Sequence, residues 1–188
     1  MLGAVIVLSG CSKKEEKPKA PPDLGMQSPH ATGVPSVAGI RWTVPKGWVE
    51  GPPRQMRHAT YMTLPAEGDA EGAECAVFFF GSGQGGDTEM NIERWVSQFE
   101  NASAPSRSKR EVNGLQVTLL KLTGTYMGMG GGPMMQQQGA SKKEKYELLG
   151  AIVAGPEGSV FFKLTGPSKT VDGIEGSFND LIASLQKN

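Results

Sequence analysis

From Ile40 onward the hydrophobic positions fall into short runs divided by Gly, Pro and Asn. Arg57 to Leu64, Cys75 to Phe80, Leu115 to Tyr126, Tyr146 to Ala154 and Ser159 to Leu164 are rich in Val, Phe, Leu and Tyr and read as strands. Within them, Ala76-Val-Phe-Phe-Phe80 and Leu148-Leu-Gly-Ala-Ile-Val-Ala154 are apolar at consecutive positions. A strand of that kind is covered on both faces, so helices must pack on the sheet.

Two segments supply them. The first begins near Asp87 or Thr88, whose side chains can cap the free amides of a first turn. Ile92, Trp95, Val96 and Phe99 then follow at i, i+3, i+4 and i+7, while Glu93, Arg94, Gln98 and Glu100 face away. The second runs from about Thr170 to Gln186, with Val171, Ile174, Phe178, Leu181, Ile182 and Leu185 on its apolar stripe. The expected fold class is α+β: a mainly antiparallel sheet of about six strands, with one central and one C-terminal helix packed on it. A single domain over residues 38–188 accounts for all of these elements.

The front of the chain follows a different pattern. Met1 to Gly10 is an apolar run that stops at Cys11 and the charged Lys13-Lys14-Glu15-Glu16. It falls well short of the about 20 residues that span a bilayer and suits the apolar region of a secretory signal. No Lys or Arg precedes it, so the basic flank of such a signal is expected upstream of Met1. Leu8-Ser9-Gly10-Cys11 resembles the lipobox of bacterial lipoproteins, which implies cleavage before Cys11 and acylation of it. Residues 11–37 form the expected tether. Pro18, Pro21, Pro22, Pro29 and Pro35 stand among Lys and Glu, and too little apolar surface is present to offset the entropy of ordering. Signal, lipid site and spacer thus occur in the order required by a domain held at a membrane outside the cytoplasm.

The order β-β-β-α-β-β-β-α, opening with Trp42-Thr-Val-Pro45-Lys-Gly47-Trp48 and closing with a helix that ends Ala183-Ser-Leu185, resembles the PsbP-like family. That family contains extrinsic accessory proteins of photosystem II and many bacterial lipoproteins. The resemblance implies an antiparallel sheet flanked by helices, used for binding and accessory roles, and it transfers no functional residue.

Charge and candidate chemistry narrow the function. With 19 Lys+Arg against 19 Asp+Glu, the chain has none of the cationic excess that drives phosphate binding, so nucleic acid is not an expected partner. Gly81-Ser-Gly83-Gln-Gly-Gly86 matches G-x-G-x-x-G between a strand and a helix, but Asp87 sets a carboxylate where a pyrophosphate would sit, and no nucleotide is expected. Glu67-Gly-Asp69-Ala-Glu71-Gly72 opens like a calcium loop and fails at its twelfth position, Phe78. Met127, Met129, Met134 and Met135 on a Gly-rich and Gln-rich segment could wrap a soft ion such as Cu(I), or supply adaptable contact surface to a partner. His30 lies in the tether, and nothing pairs His58 with a nucleophile and an orienting acid, so no catalytic residue is expected. Once Cys11 is acylated, Cys75 is the remaining thiol and reads as a small core residue. The expectation is therefore a lipoprotein of the bacterial cell envelope acting as a non-enzymatic binding or accessory module. Its site residue is Cys11, its partners are the membrane and an envelope protein, and it needs no cofactor or metal; the alternatives are Cu(I) binding by the Met loop and an enzyme with a loop-built site.

Overall fold

The computed structural model describes residues 34–128 and 141–188. The signal segment, Cys11, His30, the tether as far as Gly33, and Met129, Met134 and Met135 lie outside the described residues.

Five strands precede the first helix: β1 (Ser36–Val37), β2 (Ile40–Arg41), β3 (Val49–Glu50), β4 (Ala59–Met62) and β5 (Glu74–Phe79). Helix α1 (Thr88–Val96) leads into β6 (Phe99–Glu100), β7 (Ser106–Val112), β8 (Leu115–Gly128), β9 (Ser141–Gly155) and β10 (Gly158–Pro167). Helix α2 (Ser168–Ala183) and β11 (Gln186–Lys187) close the chain. The main sheet has the order β3-β4-β5-β10-β9-β8-β6, with β7 also paired to β8, and β1, β2 and β11 form a small second sheet. Every strand pair among the described residues is antiparallel.

The expected class and both helices are present, but among the described residues eleven strands replace about six. The additional ones leave little periodic signal. β1, β2, β3, β6 and β11 have two residues each, too few to show alternation. β7 reads Ser-Arg-Ser-Lys-Arg-Glu-Val because it lies at the sheet margin, where charged side chains also discourage pairing with another chain. Phe99 is the second correction. It was expected at the end of the helical stripe, but α1 stops at Val96, where the Ser97 hydroxyl donates to the Arg94 carbonyl, and Phe99 pairs with Tyr126 as part of β6. It is nevertheless buried. Likewise α2 ends at Ala183, and Gln186 belongs to β11.

Both faces of the central strands are covered, as their continuous apolar runs require. Along β9, Leu149, Ala151 and Val153 enter the core beneath α2, with Val171, Phe178, Leu181 and Ile182. Leu148 and Ile152 point the other way, to Ile92 and Trp95 of α1. Each such side chain contributes about 1.5–3 kcal/mol on burial. Trp95 of α1 packs directly on the backbone of β9, because Gly150 has no side chain: a Cβ there would stand 2.5 Å from the Trp95 ring. On the α2 face, Trp42 donates its indole N–H to the Tyr61 hydroxyl at 3.1 Å and meets Phe162 edge-on. Burial pushes the Tyr61 hydroxyl up to about 12.

Candidate binding cleft

α1 covers only part of its face of the sheet. Beside it, between the helix and the turn at Arg54–Arg57, a cavity of about 370 Å³ opens over β5, β10 and the end of β8. A shallower depression of about 690 Å³ continues from it toward Gly85 and Met90, sharing Met56, Phe80 and Arg94. The strand period sets the floor: Phe78 and Phe80 point to this face from β5 and its end, and Phe161 and Lys163 from β10. The rings form a continuous aromatic surface. Phe78 and Phe80 stack at 6.0 Å, Phe80 meets Phe161 at 5.7 Å, and Trp95 stands edge-on to Phe161 at 6.4 Å.

Cations surround this floor. Lys163, 9% exposed, donates from Nζ to Gln98 Oε1 and lies 5.2 Å above the Tyr126 ring. Burial lowers its pKa to about 8, and Arg57 and Arg94 push the same way, while Glu74 opposes them. Arg57 pairs with Glu74 at 2.7 Å and sits 5.8 Å over Phe78. Glu74 is shared with Arg54 at 3.1 Å. Arg94 donates to the buried amide of Asn91, whose Nδ2 is in turn held by the carbonyls of Gly85 and Asp87 at 2.8 and 2.7 Å. One carboxylate therefore serves two arginines, and the polar partners of Arg94 and Lys163 are neutral amides.

The rim is apolar and exposed. Met56 is 76% and Met90 56% exposed. Met56 also holds a left-handed backbone with φ of 64°. A non-glycine residue pays strain for that conformation, and such strain collects at ligand clamps.

The motifs singled out in the sequence occupy other places. The Gly81–Gly86 loop is drawn down onto Asn91, and Asp87 caps α1 by accepting from the Met90 amide at 2.8 Å. In the acidic loop, Asp69 accepts from Thr170 of α2 at 2.6 Å, while Glu71 accepts from Lys143 at 2.7 Å and from the Tyr146 hydroxyl. The bonds from Lys143 and Tyr146 hold the Glu71 carboxyl below the usual range. Its carboxylates thus diverge. Cys75 is fully buried in the α2 core, where desolvation drives its thiol pKa upward. His58 lies edge-on to Trp42 at 6.1 Å. Of the four loop methionines, Met127 is described, as the end of β8 on the cleft wall.

One acidic cluster exists among the described residues, Glu147, Asp172 and Glu175. The Lys121 ammonium lies among them, at 3.0, 3.4 and 2.9 Å, and ties α2 to the sheet. Sequence reading missed the cleft. Its one signal was Lys163, a cation inside the otherwise apolar run Val160-Phe-Phe-Lys-Leu164.

No family model matches the chain, and no curated protein matches it in sequence. Similar solved structures do exist. The solution structure of cyanobacterial PsbP from Synechocystis sp. PCC 6803 aligns with a TM-score of 0.53 at 11% identity, covering 80% of this chain and 88% of that one. LpqN of Mycobacterium tuberculosis, described as involved in cell envelope biogenesis, aligns with a TM-score of 0.50 at 10% identity, covering 78% of this chain and 82% of that one. The domain therefore has a PsbP-like fold. Among its described residues no helix is long and apolar enough to cross a membrane.

Proposed function

We propose that the protein is a lipoprotein of the bacterial cell envelope, acylated on Cys11, whose PsbP-like domain is a non-enzymatic binding or accessory module with the α1 cleft as its seat. The observation that carries this reading is the cleft itself: an aromatic floor, an exposed methionine rim strained at Met56, and a buried Lys163 whose hydrogen-bond partner is a neutral amide. Methionine adapts its shape to a partner at little cost, which suits a binding lip. The lipobox, the Pro-rich tether and a fold shared with an envelope-biogenesis protein agree with the location.

Photo-crosslinking in intact cells tests the module. Benzoylphenylalanine in place of Met56 or Met90 is expected to capture one defined envelope protein; in place of Leu64, 82% exposed and away from the cleft, it is not. Equal capture at all three positions, or none at the two methionines, refutes the reading. Mass spectrometry of the mature amino terminus tests the anchor, which fails if residues 1–10 are retained and Cys11 is unmodified.

A further inference from the structure

We infer that the cleft binds a small organic anion with an aromatic body, its acid group on Lys163, Arg57 and Arg94 and its ring on Phe78, Phe80 and Phe161. This rests on the cleft being the seat proposed above and assigns the chemistry of what sits there.

The argument begins with a mismatch of charge. Burying an ammonium without a carboxylate is unfavourable, and buried cations in proteins are ordinarily paired. Lys163 is buried, yet its hydrogen-bond partner is the Gln98 amide and its nearest face is the Tyr126 ring. Neither carries a full negative charge. Arg94, on the exposed edge of the cleft, likewise bonds to an amide, that of Asn91, and not to a carboxylate. The carboxylate that does approach, Glu74, is already engaged by Arg54 and Arg57. An acid group arriving in the cavity would supply the missing charge to side chains that are already positioned, and it would accept charge-assisted hydrogen bonds in a partly dehydrated site. A cationic or neutral ligand would leave the mismatch unrelieved.

Shape selects the body of that ligand. The surface beside the cations is made of ring faces and edges, with Phe78 and Phe80 inclined by only 15° and Trp95 nearly perpendicular to Phe161. Flat rings pack on such a surface in offset or edge-on geometry. A volume of about 370 Å³ is that of a small-molecule site, near the low end of the usual range of about 300–1,000 Å³.

The test uses the full chain and two probes of nearly equal shape, 2-naphthoate and 2-naphthalenemethanol, followed by calorimetry and by the fluorescence of Trp95 beside the cavity. Naphthoate is expected to bind at least about tenfold more tightly than the alcohol, the discrimination that one charge-assisted bond supplies. Lys163→Met should remove about that tenfold advantage while leaving the alcohol unaffected, Arg94→Gln should weaken naphthoate alone, and Phe80→Ala should weaken both. Naphthoate affinity should also decline as the pH rises through about 8 and become flat there in Lys163→Met. The groups facing Lys163 are Arg57 and Arg94, which hold its pKa down, Glu74, which raises it, and the Tyr126 ring; a bound acid would raise it and draw in a proton.

Equal affinity for the two probes overturns the anion assignment, as does naphthoate binding insensitive to both charge variants. Should either variant fail to fold, the other carries the test. Dodecanoate binding more tightly than naphthoate overturns the aromatic body. The two proposals fail separately: a partner captured at Met56 without naphthoate binding sinks the ligand class and leaves the module, and naphthoate binding without capture does the reverse.

Discussion

Lys163→Met is also a test of folding energetics. Methionine follows the path of the lysine stem through the aromatic wall and removes the ammonium. In the wild type the group falls from an ordinary value of 10.5 to about 8. At 1.36 kcal/mol per tenfold change in proton affinity, holding the charged form in the fold costs on the order of 3 kcal/mol. The sign follows from proton counting. Below pH 8 both folded and unfolded chains are protonated at this position and the whole cost is present. As the pH rises from 8 toward 10.5, the folded chain releases its proton first, the unfolded chain binds more protons, and wild-type stability rises relative to the variant. By pH 10 most of that cost, on the order of 2–3 kcal/mol, should have been relieved. Urea titrations monitored by tryptophan fluorescence at pH 7, 8, 9 and 10, on both chains, measure it. Groups common to the two chains cancel in the difference. The constant part of the difference reports the lost contacts to Gln98 and Tyr126; the pH-dependent part reports the buried charge. A difference that stays flat from pH 7 to 10 would refute the claim that Lys163 is a desolvated, unmatched cation, and with it the charge argument for the cleft.

Other consequences are simpler to state. Lys121→Met should destabilise the domain by about 2 kcal/mol at pH 7, less than the 3–5 typical of a fully buried pair because Lys121 is 38% exposed, since it strands Glu147 at 1% exposure. Desolvation already raises the Glu147 carboxyl pKa, so that loss should shrink as the pH falls and Glu147 protonates; thermal melts at pH 7 and 5 showing the same loss would count against it. Gly150→Ala should cost about 1–3 kcal/mol by driving a methyl into Trp95, seen as a lower urea midpoint together with altered Trp fluorescence, whereas an unchanged midpoint would mean that α1 shifts freely. In a chain carrying Cys11→Ser, Cys75 should react with a thiol reagent only at the rate of unfolding, since burial both shields it and raises its pKa; immediate labelling in native buffer would contradict its place in the core.

Much of the architecture was legible in the order of side chains. A continuous apolar strand has to be covered on both faces, and the runs Ala76–Phe80 of β5 and Leu148–Ala154 of β9 were readable on that ground. The stripes Ile92/Trp95 and Val171/Phe178/Leu181/Ile182 likewise identified the two helices and their buried sides. These are local signals, because each depends on residues within a few turns or one strand of one another. The two-residue strands and β7 were illegible for the complementary reason: their pairing is dictated by the neighbour across the ladder, and β7 keeps a polar sequence at the sheet margin. The ending of α1 before Phe99 was a competition between continuing a helix and pairing with Tyr126, and long-range pairing prevailed.

The cleft belongs wholly to this second kind. Arg57, Arg94 and Lys163 are far apart along the chain, and only Lys163, set in an apolar run, stands out locally. What brings them together is the antiparallel register that sets Lys163 opposite Ala76, two residues from Phe78, and the missing side chain at Gly150 that lets Trp95 and its helix settle close to the strands. Sequence alone could determine which segments bury, because burial follows from composition over short windows. Whether a buried cation meets a carboxylate or an empty hollow depends on which distant strands share an edge, and that was decided only by the folded sheet.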